Sequence, residues 1–234
     1  VVGILMTIDK NDSVVTTYRD HGHMIARGLD PKRIMAELTG REDGYSAGKG
    51  GSMHMFSKEN NFYGGHGIVG AQVPIGTGIA FTHKYNGENN ICRTYIGDGA
   101  MNNGQVFEAF NLAALWKLPV LYIIENNKYG MGTSVDRAAA GLDLYKRGEA
   151  FGIPGEKVDG MNVFSVIEAA DKAGKYVREG NGPYIIEVQT YRYRGHSMSD
   201  PAKYRTKEEL DNYKQTDPIA VSYTHLRAHE TQYH

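Results

Sequence analysis

The chain has 234 residues with a formal net charge of -1 at pH 7, and 41% of its residues are hydrophobic. Such a chain is long enough to bury one large core. Its balanced charge provides no basic surface for nucleic acid or for an anionic membrane, so we expect neither partner. The single cysteine, Cys92, excludes an intrachain disulfide. Its place in a predicted strand favours a buried thiol in a reducing compartment.

The first forty residues predict a helix, a strand and a second helix. Residues 1–4 resemble the middle of a helix, so we expect the chain to begin inside a domain, and residues 13–18 predict a strand. Asp30 followed by Pro31 is typical of a helix start, and this helix should run to Leu38. No segment is apolar enough to span a membrane, and the first residues do not form a cleavable signal.

The next part of the chain is rich in glycine. Residues 44–67 show no sustained period, and we expect a long loop that is functional or disordered. Residues 73–85 predict a tightly packed helix. The glycines in 67–70 and 76–78 invite a dinucleotide-binding interpretation, but a third glycine and a suitably spaced acidic residue are missing. Close helix packing and turns explain these glycines better than NAD binding does.

The central part of the chain predicts a β-α-β unit. Residues 91–96 and 119–124 are short apolar runs typical of buried parallel strands, and residues 104–116 have helical spacing between them. Residues 183–188 predict another buried strand. The expected fold is therefore α/β, a mostly parallel sheet flanked by helices, in one domain over residues 1–219.

Oxygen ligands follow the two strands of this unit. Asp98 comes directly after the first strand and Asn127 after the second. The crossover brings both strand ends to one edge of the sheet, where open α/β sheets bind ligands. The Asp98 carboxylate, the Asn127 amide oxygen and the Tyr129 carbonyl suit Mg²⁺. The backbone amides of Gly99 and Ala100, at the start of the following helix, would face an anion.

The sequence around this site resembles a known family. Gly97-Asp98-Gly99, followed at the end of the next strand by Asn126-Asn127, is similar to the thiamine-diphosphate motif. More specifically, the chain resembles the α subunits of the pyruvate dehydrogenase decarboxylating component, from residue 1 to about residue 219. Five further stretches carry this resemblance: residues 18–22, 50–55, 62–70, 113–119 and 191–201.

The resemblance implies a thiamine-diphosphate-binding fold, the cofactors thiamine diphosphate and Mg²⁺, and oxidative decarboxylation of pyruvate with acetyl transfer to the lipoyl arms of an acyltransferase core. It implies that Tyr18 and Arg19 contact the cofactor, with Arg19 at the diphosphate. Gly67 and Val69 would hold the aminopyrimidine ring through their backbones. His196 would reach the diphosphate beside the active-site channel, where an imidazole can donate to phosphate and exchange protons, which makes it the catalytic candidate.

The resemblance also implies an α2β2 heterotetramer in which a β subunit supplies the glutamate that activates the cofactor. This chain alone should then be inactive. A branched-chain 2-oxo acid or acetoin dehydrogenase α subunit and an inert subunit fragment are the alternatives. The absence of a transit peptide indicates a bacterial, cytoplasmic protein, and a eukaryotic one would belong in the mitochondrial matrix.

Three histidines near the long loop and the end of the chain complete the expectations. His21 should pack beneath the long loop, and His54 and His66 should order it. Residues 220–234 depart from the family pattern. His225 and His229 have metal-compatible helical spacing, but the sequence misses the zinc-protease motif by one residue. We expect this tail to be aberrant, unstructured and without function.

Overall fold

A computed structural model describes residues 1–230, and it contains one six-stranded sheet and one small hairpin. The strands are β1 (Ser13–Thr17), β2 (Phe62–His66), β3 (Cys92–Gly97), β4 (Val120–Asn126), β5 (Tyr129–Gly130), β6 (Thr133–Ser134), β7 (Gly155–Asp159) and β8 (Tyr184–Gln189). The large sheet has the order β2-β1-β3-β4-β8-β7, and its neighbouring strands are parallel. The predicted parallel α/β sheet is confirmed. β5 and β6 form the antiparallel hairpin.

Helices cover both faces of the sheet. They are α1 (Val2–Met6), α2 (His21–Ala26), α3 (Pro31–Leu38), α4 (Gln72–Tyr85), α5 (Gly104–Leu115), α6 (Val135–Ala138), α7 (Val163–Tyr176), α8 (Lys207–Gln215) and α9 (Pro218–Glu230). Shorter helical turns occupy Lys58–Asn60, Gly99–Asn102, Leu144–Phe151 and Val177–Asn181. One apolar core lies between the sheet and α1, α2 and α7, and the other lies beneath α4 and α5. Cys92 is buried in the second core, where burial raises the pKa of its thiol to about 12.

The predicted β-α-β unit is confirmed as β3-α5-β4. β3 and β4 pair in parallel from Cys92 beside Val120 to Gly97 beside Glu125. This register places Asp98 and Asn127 just beyond the same edge of the sheet. The order of the strands reverses here, because β2 lies on one side of β1 and β3 on the other. Such a switch point leaves an open crevice at the carboxyl ends of the strands.

The glycines of α4 allow close packing on the sheet. A Cβ atom on Gly76 would lie 2.0 Å from Thr94 Oγ1 in β3, so any side chain at this position would push the helix away. The prediction of a tightly packed helix is confirmed. The start of α3 is also as expected, since the Asp30 side chain accepts a hydrogen bond of 2.8 Å from the Lys32 amide.

The long glycine-rich segment is more ordered than its sequence indicates. Its last residues form β2, a strand at the edge of the sheet that is held by pairing with β1 rather than by an alternating pattern. Glu37, which lies in α3 before the segment, orders the first part of the loop. Its carboxylate is 1% exposed and accepts hydrogen bonds from four backbone amides, those of Ser46, Gly48, Gly50 and Gly51.

The prediction of an unstructured tail is wrong for the residues that the structure describes. Residues 218–230 form α9, which begins with Pro218. The Asp217 side chain accepts hydrogen bonds from the amides of Ile219 (2.8 Å) and Ala220 (3.3 Å), a cap that the sequence analysis overlooked. No glycine or further proline interrupts the segment. Residues 231–234 lie outside the described residues.

Within residues 1–230, no helix is both long enough and apolar enough to cross a bilayer.

Candidate functional site

A cavity of about 280 Å³ lies at the switch point, where β1, β3 and β4 end. The segment between β2 and α4 and the β5 hairpin complete its walls. It brings together all the predicted site residues except Gly67 and His196. These lining residues are Tyr18, Arg19, Val69, Asp98, Gly99, Ala100, Asn127 and Tyr129.

Two oxygen ligands in this cavity, the carboxylate of Asp98 and the amide oxygen of Asn127, are buried. Asp98 is 5% exposed, and burial raises the pKa of its carboxyl, although the Asn127 amide and the charges of Arg192 and Lys128 act in the opposite direction. Asn127 Oδ1 is buried and has no hydrogen-bond partner in the described part of the chain. A bound cation would neutralise the carboxylate and give the amide oxygen a partner. The site therefore fits a divalent cation by its own chemistry.

This donor set contains only one charged ligand. Among residues 1–230, no group of three or more His, Cys, Asp or Glu side chains is placed to hold a metal. A site of one carboxylate, one amide oxygen and one carbonyl would bind metal weakly unless the ligand itself contributed oxygens. Mg²⁺ commonly binds in this way, through one or two protein groups together with phosphates and water.

The third predicted donor, the Tyr129 carbonyl, already accepts a hydrogen bond of 2.9 Å from Arg192 Nη1. A carbonyl oxygen has a second lone pair, so a metal contact is still compatible with this geometry. The hairpin that carries Tyr129 packs closely on the turn after β3. A Cβ atom on Gly99 would lie 3.3 Å from the Cα of Gly130.

Gly99 and Ala100 lie outside the helix at whose start we expected them. Residues 99–102 form a short 3₁₀ turn, and α5 begins at Gly104, where the helical spacing of residues 104–116 predicts it. The Asn103 side chain, which accepts from the Gln105 amide at 3.3 Å, starts the α-helix at this point. The Gly99 and Ala100 amides therefore belong to a four-residue turn and not to a long helix.

His196 lies beside the cavity without lining it. Its carbonyl accepts a hydrogen bond of 2.8 Å from Arg19, and its ring meets the Tyr18 ring edge-on with centroids 5.8 Å apart. Its backbone amide donates to Asp200 Oδ2 at 2.6 Å. Burial, with the positive charges of Arg19 and Arg192, lowers the pKa of His196. Nδ1 is buried without a hydrogen-bond partner in the structure as described, so a neutral imidazole faces the rim of the cavity.

Gly67 does not line the cavity, and a Cβ atom there would be 3.2 Å from the His54 ring. The loop histidines contact the loop itself. His54 Nδ1 lies 3.2 Å from the Gly65 carbonyl, and His21 Nε2 lies 3.0 Å from the Ser52 carbonyl. His66 Nε2 lies 3.1 Å from the Tyr63 carbonyl, but His66 also lines the cavity.

Sequence reasoning missed two charged residues of the cavity, Glu125 and Arg192. Glu125 Oε1 lies 3.3 Å from Nε2 of the buried His23. Burial acts to raise the pKa of Glu125, but His23, the amino group of Val1 and Arg19 together outweigh this effect and lower it. Glu125 stands directly before the Asn-Asn pair, and Arg192 lies within a stretch that carries the family resemblance. The sequence therefore contained a signal for both residues.

Asp20 is a further unusual carboxylate close to this region. It has no exposed surface, and neither carboxylate oxygen has a hydrogen-bond partner among residues 1–230. Burial raises the pKa of Asp20 to about 6, although its own backbone and nearby histidines act to lower it. An ionised Asp20 therefore destabilises the folded chain.

We expect Asp20→Asn to flatten the pH dependence of stability. The unfolded carboxyl releases its proton at a pKa of about 3.9, whereas folded Asp20 keeps it until about pH 6, so the wild type loses stability between these values. The loss relative to the variant should reach roughly 3 kcal/mol at pH 7. Denaturant unfolding between pH 4 and pH 8 measures it, with the exposed Asp211→Asn as control. Parallel stability profiles for wild type and Asp20→Asn would contradict the assignment.

A Ser-His-Glu chain elsewhere in the fold has the spacing of a catalytic triad. Ser13 Oγ lies 2.8 Å from His83 Nε2, and His83 Nδ1 lies 2.6 Å from Glu88 Oε2. Ser13 has no exposed surface, so its hydroxyl cannot reach a substrate. This chain joins the start of β1 to the end of α4, and we assign it no chemistry.

Comparison with known proteins places these features in a family. The family model described as Dehydrogenase E1 component matches residues 1–232. The chain belongs to the dehydrogenase E1 component family. It is 64% identical over 212 residues to the "Pyruvate dehydrogenase E1 component subunit alpha" of Rickettsia felis, which covers 91% of this chain and 65% of that relative. It is 61% identical to the subunit of that name from Rhizobium meliloti, over 94% of this chain and 63% of that relative.

A mitochondrial protein is also similar to this chain. The somatic form of the same subunit from Bos taurus is 58% identical over 94% of this chain and 56% of its own length. The chain thus spans about 65% or less of the length of these curated relatives. A solved structure described as a thiamin diphosphate-dependent enzyme of Mycobacterium smegmatis has a TM-score of 0.54 and 19% identity, over 82% of this chain and 31% of that one. At this identity, the likeness shows a similar fold only.

Proposed function

We propose that the chain is the α subunit of a pyruvate dehydrogenase decarboxylating component, binds thiamine diphosphate with Mg²⁺, and acts in the oxidative decarboxylation of pyruvate. The observation that carries the proposal is the cavity at the switch point. There, the desolvated carboxylate of Asp98 and the unpartnered amide oxygen of Asn127 face the same space. The names of the relatives support the choice of reaction and substrate.

The residues of the cavity suit a magnesium diphosphate group. Asp98, Asn127 and the Tyr129 carbonyl would hold the metal. The guanidinium groups of Arg19 and Arg192 line the same cavity, and each offers several N–H groups to phosphate oxygens. When bound, thiamine diphosphate supplies a carbanion nucleophile and an electron sink for decarboxylation of a 2-oxo acid. The chain itself would hold the diphosphate end through these residues.

His196 is the proposed catalytic residue. Its backbone is fixed by Arg19 and Asp200, so the ring has a defined place at the rim of the cavity. A neutral imidazole at this place can accept a proton.

A partner subunit is part of the proposal. α4 is apolar on more than one side. Val73 and Ala80 are buried against the sheet, whereas Ile75 (40% exposed), Phe81 (44%) and Tyr85 (81%) face outward. A helix that is apolar all round is normally covered. We assign the covering element to a β subunit in an α2β2 heterotetramer, which also supplies the activating glutamate and works with a lipoyl acyltransferase core. The compartment would be the bacterial cytoplasm or the mitochondrial matrix.

Co-expression with a cognate β subunit tests this function. The purified assembly should decarboxylate pyruvate only when thiamine diphosphate and Mg²⁺ are present, and either chain alone should be inactive. Branched 2-oxo acids and acetoin serve as alternative substrates in the same assay. Cofactor binding without turnover of any substrate would support an inert subunit, and the absence of magnesium-dependent cofactor binding would refute the proposed site.

A further inference from the structure

Glu187 of β8 is a buried carboxylate to which the proposed function gives no role. It has no exposed surface, and such a charge is costly to bury unless hydrogen bonds satisfy it. Oε1 accepts from Asn126 Nδ2 at 2.7 Å and from Gln189 Nε2 at 2.6 Å, and Oε2 accepts from the Tyr145 amide at 3.1 Å. The carboxylate thus joins β8 to the end of β4 and to the 3₁₀ turn at Leu144.

The side chain that Glu187 holds controls the turn after β4. Asn126 Oδ1 accepts from the Lys128 amide at 3.2 Å, which closes a side-chain turn around residue 127. Lys128 has a positive φ of 74°, an unfavourable conformation for a residue with a side chain. The Asn126 carbonyl accepts from the Thr190 amide at 2.9 Å, which ties the same residue to the segment after β8.

Asn127 lies at the centre of this turn, and its Oδ1 is buried in the cavity without a partner. The turn sets its direction, because no side-chain hydrogen bond within residues 1–230 fixes it. We propose that Glu187 is a positioning residue for Asn127, acting through the Asn126 side chain and the left-handed turn at Lys128. The inference rests on the proposed function, since the orientation of Asn127 matters only if a metal binds there.

Glu187→Gln keeps the volume of the side chain but replaces one acceptor oxygen with an NH₂ group, which donates hydrogen bonds. The carboxylate receives three N–H donors, and an amide has only one oxygen. The new NH₂ group would face either the Tyr145 amide or the amide groups of Asn126 and Gln189. If Asn126 rotated to accept, its hydrogen bond from Lys128 would be lost. If the NH₂ group instead faces the Tyr145 amide, Asn126 still donates to the remaining oxygen, but to a neutral acceptor rather than a carboxylate, and that hydrogen bond is weaker. The turn is therefore held less firmly in either orientation.

Hydrogen exchange of the metal-free 234-residue chain tests the structural part. We expect the Lys128 amide, and with it residues 126–130, to exchange at least about tenfold faster in Glu187→Gln, because its hydrogen bond opens more often. The matched control is Glu156→Gln on neighbouring β7, whose carboxylate instead accepts from Tyr184 OH at 3.0 Å. This control should leave exchange of residues 126–130 unchanged. Equal exchange in wild type and Glu187→Gln would overturn the proposal.

Magnesium titration tests the consequence, in the assembly with the β subunit at saturating thiamine diphosphate. Glu187→Gln should raise the half-saturating Mg²⁺ concentration about tenfold, a typical effect for residues that orient metal ligands. Asn127→Ala should raise this concentration at least as much, and Glu156→Gln should leave it at the wild-type value. A normal magnesium response in Glu187→Gln beside an impaired Asn127→Ala overturns the positioning role alone. Failure of the wild type to bind magnesium and cofactor refutes the proposed function, and the positioning role with it.

Discussion

Asp98→Ala should abolish magnesium-dependent binding of thiamine diphosphate, and Asp98→Asn should weaken it by about 100-fold or more. Asp98 is the only carboxylate in the proposed donor set, and it is 5% exposed. Removal of one partner of a buried charge pair typically costs about 3–5 kcal/mol, and each 1.4 kcal/mol is about a tenfold change in affinity. Asparagine keeps the volume and one oxygen but loses the charge that attracts Mg²⁺. Isothermal titration calorimetry on the αβ assembly measures both variants.

Asp98→Asn should not weaken the folded state of the metal-free chain. Burial raises the pKa of Asp98, so its ionised form weakens the folded state above that pKa. Asp98→Asn removes this cost, and we expect its thermal midpoint without metal to equal or exceed that of wild type at pH 8. Loss of cofactor binding with unchanged or higher metal-free stability identifies a ligand. Near-normal cofactor affinity in either variant would refute the assignment.

The sequence predicted that Asp98 and Asn127 lie together, because local patterns determine their positions. The strands around Asp98 and Asn127 are continuous apolar runs, and a parallel crossover requires their carboxyl ends to meet at one edge. The structure places both residues in one cavity for this reason. The capping residue Asp30 was equally readable, since the cap and the proline that follows it act within a few residues.

Other features depend on contacts between distant parts of the chain. β2 and β7 are short strands at the two edges of the sheet, and pairing stabilises them where their sequences show little alternation. The hydrogen bond that Arg192 donates to the Tyr129 carbonyl and the one that Asn126 donates to Glu187 cross from one strand end to another. Their side-chain directions depend on how the sheet packs, so the sequence pattern alone does not predict them.

The tail shows a different limit of sequence reasoning. Departure from a family pattern does not imply missing structure, because a helix needs only suitable residues and a start. Asp217 and Pro218 provide that start for α9. The described part of the tail thus has secondary structure whatever its origin, because the local rules of helix formation do not depend on family membership.

Arg192 is the second residue for which we expect a large effect, because it combines charge with structure. Its guanidinium lines the cavity and donates to the carbonyls of Tyr129 (2.9 Å) and Met131 (2.6 Å) and to the Tyr204 hydroxyl (2.8 Å). It therefore holds the segment that carries a proposed metal ligand. It also presents a permanent positive charge where a diphosphate would lie.

We expect Arg192→Ala to weaken thiamine diphosphate binding about 100-fold, the sum of roughly 1.5 kcal/mol each from a lost charged hydrogen bond and from the released segment. Arg192→Lys should restore little, because one ammonium group cannot span three acceptors in a plane. Arg194→Ala is the matched control, since Arg194 is an exposed residue of the same loop. Calorimetry at saturating Mg²⁺ should give near-wild-type affinity for this control. Full recovery of affinity in Arg192→Lys would show that charge alone matters, and equal affinity in Arg192→Ala and Arg194→Ala would place the diphosphate away from this side of the cavity.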